Sequence, residues 1–134
     1  MAREILFRGK RTDNGKWVEG HLIVFPKSKI TKIMVWNAAD LDFDAIEVIP
    51  ETVGQFTGLT GKNGKRIFGG DIAKYTNKDG TTAFYEVVWD NELFAPMFQL
   101  IGSCSGVFVA GMNERVEIIG NIHDNPELLN GTES

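Results

Sequence analysis

Asp13-Asn14-Gly15-Lys16-Trp17-Val18-Glu19-Gly20-His21-Leu22-Ile23-Val24-Phe25-Pro26 carries the two signals that decide the fold class. Asn-Gly suits the positive φ values of a tight hairpin turn. The residues after it alternate: Trp17, Glu19 and His21 fall on one face of a strand, and Val18, Gly20, Leu22 and Val24 on the other. The second face is the expected core. Pro26, which has no N–H to give to a ladder, closes the strand. The stretch predicts a β-hairpin between strands at residues 4–11 and 16–25.

Outward from it, turn signals recur at short intervals, the pattern of a strand-rich domain. Lys27-Ser28-Lys29 leads into a third strand at residues 30–36. The pattern weakens over 37–45, where Asp40, Asp42 and Asp44 alternate with Leu41 and Phe43, and strand chemistry returns at 46–49 before Pro50. Further strands are expected at 52–59, 66–68, 72–76, 82–89, 97–101, 107–109 and 115–122, about ten in all. Residues 82–89 make the strongest of them. Within that strand Tyr85, Val87 and Trp89 share the face expected to be buried, and Phe84, Glu86 and Val88 the other. Helix signals are confined to Asn125-Pro126-Glu127-Leu128-Leu129: a capping residue, proline at the first helical position and a carboxylate in the first turn.

The chain has 134 residues, 43% of them hydrophobic and 24% charged, within the range of one globular domain. The expectation is a single domain over 1–134, with sub-lobes at 1–50 and 51–125 and a frayed tail at 130–134. Cys104 is the one cysteine, so no intrachain disulfide forms, and no Cys/His spacing suits a structural zinc site. The amino terminus lacks the unbroken apolar stretch of a signal peptide, and no hydrophobic run approaches the roughly 18 residues that cross a bilayer. A cytoplasmic location, without a membrane partner, is the expectation these features carry.

Net charge is −4. Its distribution is uneven: residues 1–32 hold eight Lys/Arg against three Asp/Glu, and residues 62–78 hold five against one. Those basic stretches supply a candidate binding surface made of Arg8, Lys10, Arg11, Lys62, Lys65, Arg66 and Lys74, with Phe84 as a partly exposed aromatic beside them. Such a surface attracts phosphate if its charges share one face; dispersed charge that keeps a small domain soluble is the plainer account.

Residues 49–59 (Ile-Pro-Glu-Thr-Val-Gly-Gln-Phe-Thr-Gly-Leu), 62–68 (Lys-Asn-Gly-Lys-Arg-Ile-Phe) and Gly70-Asp71-Ile72 closely resemble the signature of the YopX family of phage and prophage proteins. Residues 3–8 with Lys16-Trp17-Val18 resemble the family's start, and residues 116–122 with 125–129 its end. One departure is Gly69, where a carboxylate is expected before Gly70-Asp71. The resemblance implies a mainly β fold whose carboxy-terminal part is an SH3-like barrel, an amino-terminal hairpin region, and homo-oligomers. It brings no catalytic residue. Physically, Gly58, Gly64 and Gly70 permit left-handed or bulged backbone where strands bend, and Asp71 most simply caps the turn by accepting backbone N–H groups.

Other chemistry is thin. Asp40-x-Asp42-x-Asp44 with Glu51 at the twelfth position resembles a calcium loop, but Ala45 stands where that loop needs glycine and neither flank reads as helix. An edge strand with a charged outer face describes the same residues. His21 and His123 belong to no metal-ligand spacing. Ser103-Cys104-Ser105 between two glycines reads as a loop or a small buried thiol rather than an activated nucleophile. No phosphate-binding glycine loop is present, and no cofactor is implied. Among Trp17, Trp36, Tyr75, Phe84, Tyr85 and Trp89, most should be core, and any left outside would form a contact surface for an extended peptide or for bases. The function these observations favour is a non-enzymatic β binding module acting on a host or phage protein or on nucleic acid. The alternatives are a self-assembling scaffold component and a small metal-dependent hydrolase whose groups, for example Asp71, Asp90 and His123, meet in space.

Overall fold

A computed structural model of the chain describes residues 5–90, 95–101, 106–107 and 112–130. The described residues form eleven strands in two antiparallel sheets with three short 3₁₀ turns, so the fold is mainly β. The chain divides into two compact units, Met1–Phe56 and Thr57–Ser134.

In the first unit β1 (Phe7–Lys10), β2 (Trp17–Phe25), β3 (Ile30–Asn37) and β4 (Asp42–Val48) form an antiparallel meander, and the start of β5 (Gly54–Thr60) pairs with β1, giving the order β4-β3-β2-β1-β5. The alternation read in β2 holds as far as Leu22; Val24, expected in the core, is 54% exposed. Gly20 is buried and Leu22 half-buried, while Glu19 and His21 are exposed on the other face. Two glycines let the meander curl. A side chain at Gly20 would overlap the Met34 carbonyl oxygen, and Gly9 lies against Val48, whose side-chain carbons would be 3.0 Å from an added Cβ. The end of β4 thereby returns to β1: Arg11 bridges Val48, the Ile49 N–H donates to the Lys10 carbonyl at 2.8 Å, and the Thr12 N–H to that of Glu47 at 3.1 Å. Ile33, Val48 and Thr31 are buried on the face that Gly9 and Gly20 share. A 3₁₀ turn at Pro50–Thr52 follows, and its Thr52 hydroxyl accepts the Lys10 N–H at 2.9 Å.

Two local expectations change. The β1–β2 connection is wider than a two-residue Asn-Gly turn: the Arg11 N–H reaches the Lys16 carbonyl across four residues, and only Gly15 takes a positive φ, of 71°. Asn14 instead accepts the Lys16 N–H on its side-chain oxygen, an Asx interaction that competes with the tighter turn. The region expected to be weak, 37–45, supplies most of β4. Its Asp residues do not break the strand because β4 is an edge strand, where outward carboxylates stay in water.

In the second unit β5 continues into a hairpin with β6 (Arg66–Phe68), and β7 (Asp71–Thr76), β8 (Thr82–Asp90), β9 (Ala95–Leu100), β10 (Gly106–Val107) and β11 (Val116–Asn121) form a sheet of order β10-β9-β8-β7-β11. Ile67, Ala73, Val87, Phe98, Val116 and Ile118 make its core, with Leu59, Tyr75 and Tyr85 packed against them. Val87 and Tyr85 thus share the inner face expected for β8. The β5–β6 hairpin meets β11 through the Lys62 N–H, which donates to the Val116 carbonyl at 2.9 Å. No closed barrel forms among the described residues: β10 is two residues long, and no ladder joins it to β11. The helical signal at Asn125 appears as a 3₁₀ turn over Pro126–Asn130. The Asn125 side chain serves the Asn121 N–H, at 3.2 Å, rather than the turn it precedes.

Candidate binding surface

The face of the first unit opposite its core is built from every second residue of three strands: His21, Ile23 and Phe25 of β2, Lys32, Met34 and Trp36 of β3, and Phe43, Ala45 and Glu47 of β4. Register puts Trp36 opposite Phe43, and the two rings meet edge to face with centroids 5.2 Å apart. Their contact leaves both outside: Trp36 is 53% and Phe43 43% exposed. His21 completes the group, 6.5 Å from Phe43 in a second edge contact. Further along the same face, the Arg8 guanidinium sits 4.6 Å and the Lys10 ammonium 5.7 Å from the centre of the Trp17 ring, a position in which a cation is attracted to the π face.

Charge on this face is matched across strands. Arg8 stands opposite Glu19 in the β1–β2 register, and Lys32 opposite Glu47 in the β3–β4 register. Opposed charges on neighbouring strands favour the sheet and leave little net field. The face is therefore aromatic first and ionic second.

The candidate residues from sequence fall in several places. Arg8 and Lys10 lie on this face. Arg11 does not, since its guanidinium grips Asp13 through Nε at 2.9 Å and Nη2 at 2.8 Å. That pairing holds the Asp13 carboxyl below the ordinary carboxylate range. In the second unit Lys62, Lys65 and Arg66 are exposed around the β5–β6 turn, while Lys74 is half-buried in register between Phe84 of β8 and Glu117 of β11. Phe84 is itself half-buried.

The glycine positions of the signature do backbone work. Gly58, Gly64 and Gly70 have φ of 87°, 81° and 93°, values that side-chain-bearing residues seldom adopt. Asp71 is buried and its Oδ2 accepts the Phe68 N–H at 2.8 Å. Thr57, also buried, donates its hydroxyl to the Ile67 carbonyl at 2.8 Å and accepts the Leu59 N–H at 3.1 Å. These bonds lock the β5–β6 hairpin to the start of β7.

The calcium-like spacing lies in a strand hairpin instead of between helices. Asp40 and Asp44 both accept from the Asn37 side-chain amide, at 3.1 and 3.0 Å, and Asp42 accepts the Phe43 N–H. Among the described residues no group of three or more His, Cys, Asp or Glu is placed to hold a metal ion. Ser103, Cys104 and Ser105, and the side chain of Asp90, lie outside the described residues.

Sequence reading missed the pairing of Trp36 with Phe43. The available signal was the spacing of the two rings about the Asn37 to Asp42 turn, which a hairpin assignment at that point would have placed opposite each other.

The model of the family described as YopX protein matches residues 6–130. The chain belongs to the YopX family. The aromatic face and the signature hairpin both lie inside that match. Among solved structures, this YopX chain is similar to protein EF1440 from Enterococcus faecalis, with 21% identity, a TM-score of 0.61, and coverage of 96% of this chain and 99% of that one. At that identity the likeness shows the fold. No curated protein matches the chain. Among the described residues, no helix is long and apolar enough to cross a membrane.

Proposed function

We propose that this YopX chain is a non-enzymatic accessory protein of a phage or prophage, a β binding module that works in the bacterial cytoplasm through protein contacts made at the Trp36–Phe43 face. The observation that carries the reading is the exposure of two paired rings on a sheet face whose charges are matched across strands. A folded monomer gains nothing from leaving such rings in water. Covering them would contribute roughly 2–3 kcal/mol each at about 25 cal/mol per Å². Aromatic anchors surrounded by near-neutral contacts are the usual energetic centre of a protein interface.

Nucleic acid is the weaker partner for this face. Glu19 and Glu47 stand opposite its cations, so phosphate would meet carboxylate. The SH3-type character implied for the carboxy-terminal part is supported by the β5–β6 hairpin set against β11, in which the signature glycines form the bends.

The test is affinity capture of the tagged full chain from its induced bacterial host, with and without nuclease, beside the Trp36→Ser/Phe43→Ser variant. A host or phage protein retained after nuclease by the wild type and lost by the variant supports the reading. Retention that nuclease abolishes points to nucleic acid, and recovery of the chain alone points to self-assembly.

A further inference from the structure

We infer that the β3–β4 hairpin is a plug that inserts into an apolar pocket rimmed by lysine or arginine on its protein partner; this rests on the proposed protein-binding reading and specifies the partner's chemistry. The hairpin presents apolar surface on an edge strand. Leu41 at its turn is 76% exposed, and Trp36 and Phe43, paired in the strands next to that turn, are exposed as well. From Asp42 to Ala45 every residue of β4 is exposed, so both faces of this end of the sheet stand in water.

Charge selects the occupant. Asp42 and Asp44 alternate with Phe43 and so project from the opposite face of the hairpin, beside Asn37, Asp40 stands at its turn, and between Lys32 and Lys62 the sequence holds no Lys or Arg against five Asp/Glu. Among the described residues, no cation pairs with these three carboxylates. Asp40 and Asp44 accept from the Asn37 amide and Asp42 from a backbone N–H, all neutral donors that leave the negative charge uncompensated. A partner with carboxylates or phosphates here would be repelled. A pocket that takes the whole hairpin would set guanidinium or ammonium groups against the carboxylates of one face, and apolar side chains against Trp36 and Phe43 on the other.

The experiment selects random dodecapeptides from a yeast-display library on the full chain, with counter-selection on the Trp36→Ser/Phe43→Ser variant. Enriched peptides are expected to combine apolar residues with net positive charge. Their affinity should fall roughly tenfold in an Asp40→Asn/Asp42→Asn/Asp44→Asn variant that retains the wild-type melting temperature, and should weaken with added salt. Enrichment of neutral or acidic peptides, or affinity indifferent to the three substitutions, would overturn the inference while leaving the aromatic face as a protein-binding site. No enrichment over the counter-selected variant would overturn both. Self-association that protects the hairpin from hydrogen exchange would assign the face to a second copy of the chain and overturn the basic partner.

Discussion

The carboxylate of Asp71 accepts the backbone N–H of Phe68 at 2.8 Å inside the second unit, with Asp71 only 1% exposed. The bond closes the Gly69-Gly70 bend, where Gly70 has a φ of 93°, and it accounts for an aspartate after two glycines without any reaction. Replacing it with alanine leaves a buried N–H without its acceptor, at a cost of about 1–3 kcal/mol. Asp71→Ala should therefore lower the urea midpoint clearly, and Asp71→Asn, which keeps an acceptor oxygen, should lower it less.

That residue shows what was legible in the sequence. Local chemistry was: the role of Asp71, the core face of β2 as far as Leu22, the inner face of β8 and the bends at Gly58, Gly64 and Gly70 all follow from residue type and alternation. What depended on pairing between strands was not. β4 was obscured because its aspartates look like a loop until β3 is placed beside it, and the Trp36–Phe43 contact exists only in that register. The SH3-like barrel was an inference from resemblance, and among the described residues the ladders form no closed barrel.

Gly20 lies so close to β3 that a Cβ would overlap the Met34 carbonyl oxygen. Backbone cannot move aside as a flexible side chain can, so Gly20→Ala should destabilise by about 3 kcal/mol or more. Chemical denaturation of the variant would measure this. A change within experimental error would show that β2 and β3 are further apart than described.

Leu41 adopts a φ of 53°, a left-handed conformation that disfavours a branched apolar side chain. Leu41→Gly should raise stability by roughly 0.5–1 kcal/mol, because relief of strain exceeds the added freedom of the unfolded chain. The same substitution should weaken partner binding, since it deletes the most exposed apolar group of the hairpin. Calorimetric melting together with a binding titration would separate the two effects.

Glu86 of β8 is half-buried in register between Ile72 and Gln99, and burial pushes its carboxyl above the ordinary carboxylate range. A raised carboxyl pKa means that the fold favours the protonated form. The associated stability is complete below the unfolded value of about 4.3 and is lost as pH rises through the folded value. Glu86→Gln removes that loss. Its melting temperature should exceed the wild type's at pH 7, and the two should converge at about pH 3.5.

The central claim is that the Trp36–Phe43 pair binds a protein partner and does not serve the fold. The most direct measurement is calorimetric titration of the nuclease-resistant partner into wild-type chain and into Trp36→Ser/Phe43→Ser, with the melting temperature of each recorded beside it. The account predicts at least a tenfold loss of affinity, the scale expected for hot-spot aromatics, with melting temperatures that nearly coincide. Unchanged affinity, or a variant that fails to fold, would show that the rings belong to the architecture of the sheet and that the binding surface lies elsewhere.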